Sequence, residues 1–405
     1  MDKADRQLHL LVVMLRYPYP AQSGGSIVAI NSIERLARRH RIHFLCNGDP
    51  GEEHLLGEGV ETTEFVACKR LSIVSKILKY LILRLRGNLS SSVACKYREL
   101  RMRVSELMET KDFDAIVMFE FEALQCCHPK YFKNLVINIE DPYSLKLFRM
   151  QSLSVWSVWQ RVARFVDGLL TGYYERSVLP RLGKVLLLSP ADAQDMREQG
   201  GYGNLGYVTY GASRQPGSIS AFAERTDGMI VFSGNMYHLP NVDGIIYFLR
   251  NVFAKILGEV PEATLWIVGA KPDRRIYDAA DIFGKRVIIT GRVEDVSAYL
   301  QQAMVSICPV RLKVGVQTKI LEALMFGTPV VTTSAGNSGV GGRSGEDMWV
   351  EDDPCSFARR VASLLRGEAW SEFSENGRKL VEARFTWDRS AEELEEHINS
   401  IVAGQ

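Results

Sequence analysis

Nothing in these 405 residues approaches 18 uninterrupted apolar positions, so no membrane-spanning helix is expected. The apolar opening, residues 8–15, is short, follows a mixed-charge start and leads to no small-residue cleavage site, so no secretory leader is expected either. Seven cysteines, an odd number without regular spacing, exclude a disulfide framework and read as reduced thiols in a cytoplasmic setting. Cys126-Cys127 has no second pair at zinc-ligand spacing, so no metal site is expected. A net charge of +1 and the want of an aromatic stacking platform argue against a nucleic-acid partner. The loop after the first apolar run also lacks the Gly-x-Gly-x-x-Gly dinucleotide fingerprint.

What remains is an ordinary globular composition, 46% hydrophobic and 24% charged, long enough for two full cores. Short apolar runs alternate with helical spacing. Strands are expected at 8–15, 41–47, 64–68, 114–120, 135–141, 184–189 and 206–211. A stretch of Ser, Gly, Pro and charge without periodicity, 213–228, reads as a linker. The rhythm resumes with strands at 229–234, 263–269, 286–291, 305–310, 329–333 and 347–350. Helices are expected at 26–40, 154–182, 190–199, 242–257, 295–302, 354–366 and 389–402. The helix over 154–182 is read as core plus domain surface, with its tryptophans available to an interface. Parallel strands joined by helices give right-handed crossovers. The expected fold is α/β, two Rossmann-like doubly wound domains facing across a cleft, over 1–212 and 213–387.

One stretch, 309–329, carries the most chemistry. A buried strand gives way to Arg311, Lys313 and Gly315, then to a helix with Ile320, Leu321, Leu324 and Met325 inside, stopped by Gly327-Thr328-Pro329. Strand, glycine turn and helix start make an anion site, since free N–H groups and the helix dipole face one point. Lys319 is placed to meet a phosphate, and Glu322 to accept hydrogen bonds from ribose hydroxyls. The plainer alternative is a surface ion pair between those two residues. Gly234-Asn235, Gly269 and Gly291-Arg292 close other strands and would line the same pocket, though Arg292 could instead pair with Glu294 or Asp295. In the first half, Gly24-Gly25 opens a helix after the first strand, as a phosphate or sugar loop or as a plain turn. Glu120, Glu122, Glu140 and Asp141 follow strands, where sheets of this kind bind ligands; Asp141 before Pro142 could equally cap a helix.

The motif Gly315-Val316-Gln317-Thr318-Lys319-Ile320-Leu321-Glu322-Ala323 resembles the donor-nucleotide motif of the family-4 glycosyltransferases of GT-B fold. It is most similar to the branch reading Gly-Val-Gln-Asn-Lys-x-Leu-Glu-Ala, with Thr318 in the Asn place. The resemblance implies a nucleotide-sugar donor bound by the second domain through Gly315, Val316, Gln317, Thr318 and Glu322. It also implies an acceptor held by the first domain, transfer with retention, no metal or other cofactor, and a terminal helix, 388–405, crossing back onto the first domain. The sequence departs from the family twice. Where most members carry an Arg and a Lys, 233–241 reads Ser-Gly-Asn-Met-Tyr-His-Leu-Pro-Asn, so the diphosphate charge falls to Arg311 and Lys319. The first of the paired glutamates is Val314, as elsewhere in the branch, leaving sugar recognition open.

Between 68 and 105 ten cations (Lys69, Arg70, Lys76, Lys79, Arg84, Arg86, Lys96, Arg98, Arg101, Arg103) face one acid, Glu99, with leucines and isoleucines interleaved. Residues 69–103 are therefore expected to touch an anionic membrane from the cytoplasmic side, where a lipid-linked or glycan acceptor would lie; a core helix with a solvated basic face is the alternative. A sugar-nucleotide epimerase of the same fold and a non-turning-over nucleotide-binding partner protein are the competing functions.

Overall fold

The computed structural model describes residues 6–20, 23–48, 56, 59–68, 97–153, 156–212, 220–313 and 315–404. The chain forms two compact units, one of Met1–Phe148, Val162–Gly211 and Trp387–Gln405, the other of Arg149–Arg161 and Ala212–Thr386.

The first unit is built on β1 (His9–Met14), β2 (Arg41–Asn47), β3 (Val60–Val66), β4 (Ala115–Phe119), β5 (Leu135–Asn138), β6 (Lys184–Leu187) and β7 (Leu205–Tyr207). All pair in parallel in the order β3-β2-β1-β4-β5-β6-β7, with Leu10 of β1 flanked by Ile42 and Ala115. Central strands such as β1 and β4 are buried on both faces, which is why they read as continuous Val, Leu and Ile rather than alternating. Helix Trp387–Val402 belongs to this unit. It buries Leu394, Ile398 and Ile401, and Asp388 meets Arg35 of helix Gly24–Leu36 at 2.7 Å.

The second unit holds β8 (Thr226–Ser233), β9 (Thr264–Val268), β10 (Val287–Gly291), β11 (Ala303–Cys308), β12 (Val330–Thr332) and β13 (Trp349–Val350), ordered β10-β9-β8-β11-β12-β13 and again all parallel. Behind the sheet Arg225 is buried without a carboxylate partner. Its guanidinium donates to the carbonyls of Ser220, Leu300, Ala303, Phe326 and Gly327 and to Thr328 Oγ1, and lies 4.8 Å over the Trp370 ring.

Both sheets follow the doubly wound order, so each has a switch point between its first and fourth strands. Several local expectations need correction. Helices Arg274–Ala280 and Trp370–Arg384 were not expected, the latter because only Trp370, Phe373 and Val381 mark its inner side amid Ser, Glu, Lys and Arg. The 154–182 helix narrows to Val158–Val178; Tyr174 packs against the core, whereas Trp159, Phe165 and Tyr173 stand exposed, Trp159 at 83%. Its inner side is Gly168, Thr171, Gly172 and Glu175.

Candidate functional site

The site in the second unit begins with three glycines closing neighbouring strands. The Gly234 N–H donates to Val268 O at 3.0 Å, and the Gly269 N–H to Gly291 O at 3.1 Å. Gly269 has φ +156°, and a Cβ there would sit 1.7 Å from the Gly234 carbonyl oxygen. Backbone approaches backbone so closely that no side chain fits.

From this floor a relay of amides leads across the switch point. The Asn235 carbonyl accepts from Asn241 Nδ2 at 3.0 Å, and Asn241 Oδ1 accepts from Lys319 Nζ at 2.7 Å. Asn241 begins the helix after β8 (Leu239–Phe248), and Lys319 the helix after β11 (Thr318–Met325). Lys319 is 8% exposed, lies 5.2 Å over the Phe232 ring, and has its pKa lowered by desolvation, with Cys308 and Glu322 opposing. An ammonium so placed is short of ligands, which favours an incoming anion.

The helix Thr318–Met325 has no side-chain cap at Gln317, so its first N–H groups keep the anion-facing geometry of a helix start. Gly315 precedes it at φ +62°, a left-handed turn, with Gly339 packed so closely that a Cβ there would meet Gly315 O at 2.1 Å. Val316, Gln317 and Thr318 are half-buried. Glu322, one turn on, reaches solvent, and the protein crowded about it raises its pKa while Lys319 opposes. The expected alternative, a Lys319–Glu322 surface ion pair, is not what forms: Lys319 is buried and bonds Asn241.

Arg311 lies beside this group but is already engaged. Its Nε and Nη2 donate to Asp243 Oδ2 at 3.0 and 2.7 Å, and the guanidinium lies 4.7 Å over Tyr247. Arg292 is exposed, and Asp295 turns to the Ser297 N–H and hydroxyl instead of forming the local bridge. Val314 lies outside the described residues.

The first unit assembles a different set at its own switch point. Gly24 and Gly25 start helix Gly24–Leu36, capped by Ser23, whose Oγ accepts from the Ser26 N–H at 3.2 Å. Gly24 faces open space, whereas a Cβ on Gly25 would come 1.8 Å from Glu140 Oε1. Glu140 closes β5 and Glu120 closes β4, at φ +60° and +75°, a backbone region costly for a side-chain-bearing residue. Burial pushes both carboxyls up to about 7, helped by Glu122 at Glu120 and by Asp141 and Glu120 at Glu140. Asp141 accepts from Lys146 Nζ at 2.5 Å. It is Glu175 that holds the next helix start, accepting from the Ser144 N–H at 3.1 Å and from its hydroxyl.

Sequence reasoning passed over Asn241 and placed Glu140 only among the acids at strand ends. Asn241 offers no signal beyond its place at a helix start. Glu140 was legible as an acid ending a strand, but its left-handed backbone was not.

Among the described residues no group of three His, Cys, Asp or Glu side chains could hold a metal ion, and no helix is long and apolar enough to cross a membrane. Of the basic segment, 69–96 lies outside the described residues. In helix Arg98–Thr110, Arg98 and Arg101 are exposed, while Arg103 pairs with Glu64 at 2.5 Å and Glu106 at 2.8 Å.

Two parallel Rossmann-like sheets in doubly wound order make this a GT-B fold. Residues 227–367 match the family model described as glycosyl transferases group 1. The chain is 22% identical over 386 residues to an uncharacterized 44.6 kDa protein in the cps region of Klebsiella pneumoniae, covering 88% of this chain and 91% of that one. Sucrose-phosphate synthase from Thermosynechococcus elongatus superposes with a TM-score of 0.69 at 15% identity, over 99% of this chain and 100% of its own. WaaG, a glycosyltransferase involved in lipopolysaccharide biosynthesis, does so with 0.63 at 15% identity, over 98% and 100%. The Anabaena protein HepE in complex with UDP-glucose gives 0.57 at 13%, over 97% and 100%.

Proposed function

We propose that this protein is a retaining glycosyltransferase that moves a sugar from a nucleoside-diphosphate donor to a lipid-linked saccharide acceptor during surface polysaccharide assembly. The observation that carries the reading is the buried Lys319 ammonium, held by Asn241 over the glycine floor at an uncapped helix start. Such a cation, fixed before the donor arrives, stabilises the charge that develops on the leaving diphosphate. The Gly315, Val316, Gln317 and Thr318 backbone would meet the phosphates, Glu322 the ribose, and Gly234, Asn235, Gly269 and Arg292 the rest of the nucleotide. Arg311, restrained by Asp243, supplies a second positive charge rather than a free fork. In the first unit Gly24, Gly25 and Asp141 would face the acceptor, joined by Glu120 and Glu140. The surface-polysaccharide context is supported by the Klebsiella relative and by WaaG. Residues 69–103 would hold the enzyme against the anionic cytoplasmic face of the membrane, and no metal or other cofactor is required.

The Glu120–Glu140 pair, with both pKa values near 7, is what favours the epimerase alternative, since that chemistry needs proton-exchanging groups. Incubation with radiolabelled nucleotide sugars, with and without a membrane extract, separates the readings. Label moved to lipid supports transfer; an epimerised nucleotide sugar supports the alternative; binding without turnover defeats both.

A further inference from the structure

Helix Val158–Val178 is turned inside out. Val158, Val162, Phe165, Val166, Leu169 and Tyr173 recur at helical spacing on one face and, with Trp159, are between 44% and 83% exposed. The opposite face is small and polar because it packs tightly. A Cβ on Gly168 would meet the Phe148 ring at 2.8 Å, Gly172 lies against Ser144, and Glu175 bonds the start of helix Tyr143–Met150. No rotation of the helix could bury its apolar side without expelling that fit. An outward apolar stripe of this length is far beyond scattered surface residues and calls for an apolar partner.

The charge around it says which. The exposed ionisable side chains between Val158 and Val178 are Arg161 and Arg176, both cationic; Arg164 and Asp167 are half-buried. Arg101, exposed in helix Arg98–Thr110, stands near enough to Tyr174 to bear on its phenol. A second copy of the chain would set these cations against themselves, whereas an anionic lipid surface complements them. Tryptophan and tyrosine at the two ends of the stripe suit the headgroup boundary.

We infer that the outward face of helix Val158–Val178 lies on an anionic membrane, its apolar side chains inserted below the headgroups. This does not depend on the transferase reading.

The test is co-sedimentation of the full chain with vesicles of phosphatidylglycerol and phosphatidylethanolamine, and with phosphatidylcholine alone. Replacing Trp159, Phe165 and Leu169 together by Ser should lower partition to the anionic vesicles about a hundredfold. The urea unfolding midpoint should stay close to that of the native chain, showing an intact fold. Lipids brominated on the acyl chain should quench tryptophan emission in the native chain and much less in Trp159→Phe. Binding that survives the triple substitution and is lost only when Lys76, Lys79, Arg84 and Arg86 become Gln would overturn the inference. So would a native dimer that the triple substitution dissolves while leaving vesicle binding unchanged.

Discussion

The two sheets share one strand order and differ at the same topological point. Where the second unit ends its strands in glycine and gathers Lys319, Asn241 and Arg311, the first ends two strands in glutamates held at positive φ. Glycine lets backbone approach a ligand and leaves a cation to set the charge; glutamate fills the space and brings protons. The fold supplies a crevice twice, and the side chains at each crevice decide what it can hold. The second unit shows the same contrast within itself. Arg225 and Lys319 are both buried cations, but Arg225 donates to five carbonyls and a hydroxyl, whereas Lys319 makes one close bond and a long one of 3.5 Å to Gln317. A saturated buried cation is architecture. An unsaturated one beside a glycine floor is the binding group we propose.

The largest effect should come from removing the saturated cation. Arg225→Met leaves several buried acceptors without donors, and the second unit should lose about 4 kcal/mol or more, read by urea unfolding. Gly269→Ala should come close behind, because the Gly234 carbonyl cannot retreat without breaking its strand end. We expect a loss of about 3 kcal/mol, with donor binding abolished in whatever remains folded.

Lys319→Met tests the unsaturated cation. Relief of a desolvated charge should leave stability unchanged or slightly higher, while the transfer rate falls by about a hundredfold to a thousandfold. A stability loss as large as that of Arg225→Met, with the rate of the folded fraction intact, would show that both cations are architectural. Glu322→Ala should be milder, weakening nucleotide affinity by about 1–3 kcal/mol in titration calorimetry. An unchanged affinity would remove the ribose from Glu322.

The alternation of strands and helices was legible because parallel strands buried on both faces cannot avoid being apolar runs. So was the 315–323 motif, where glycine, lysine and glutamate stand in one short span. Helix Trp370–Arg384 was not legible, since its inner face is completed by Ser374 and Gly377, the latter packed against Leu324 and the Asp347 carbonyl. The outward stripe of helix Val158–Val178 was read only as core plus domain surface for a related reason: periodicity locates an apolar face without saying whether protein covers it. Asn241 acts only through its distance to Lys319, and distances across 78 residues of chain leave no mark in a local pattern.

The smallest effect concerns the first unit's acids. Glu120 and Glu140 have folded pKa values of about 7, above those of an unfolded chain, so the native state holds protons that the unfolded state has released. Their contribution is therefore complete below the unfolded carboxylate pKa and is lost as pH rises towards and through 7. Both side chains reach solvent, which keeps the loss well under that of fully enclosed groups; it should be on the order of 1 kcal/mol between pH 5 and 7. Urea unfolding of the Glu120→Gln, Glu140→Gln double variant should show that slope flattened while the native chain keeps it. Gly25→Ala should act on the same slope by a gentler route. The new methyl meets the mobile end of Glu140 rather than backbone, so it displaces the carboxyl into solvent and lowers its pKa at little cost to the helix. If Gly25→Ala leaves the slope untouched while the double variant removes it, Glu120 alone carries the proton.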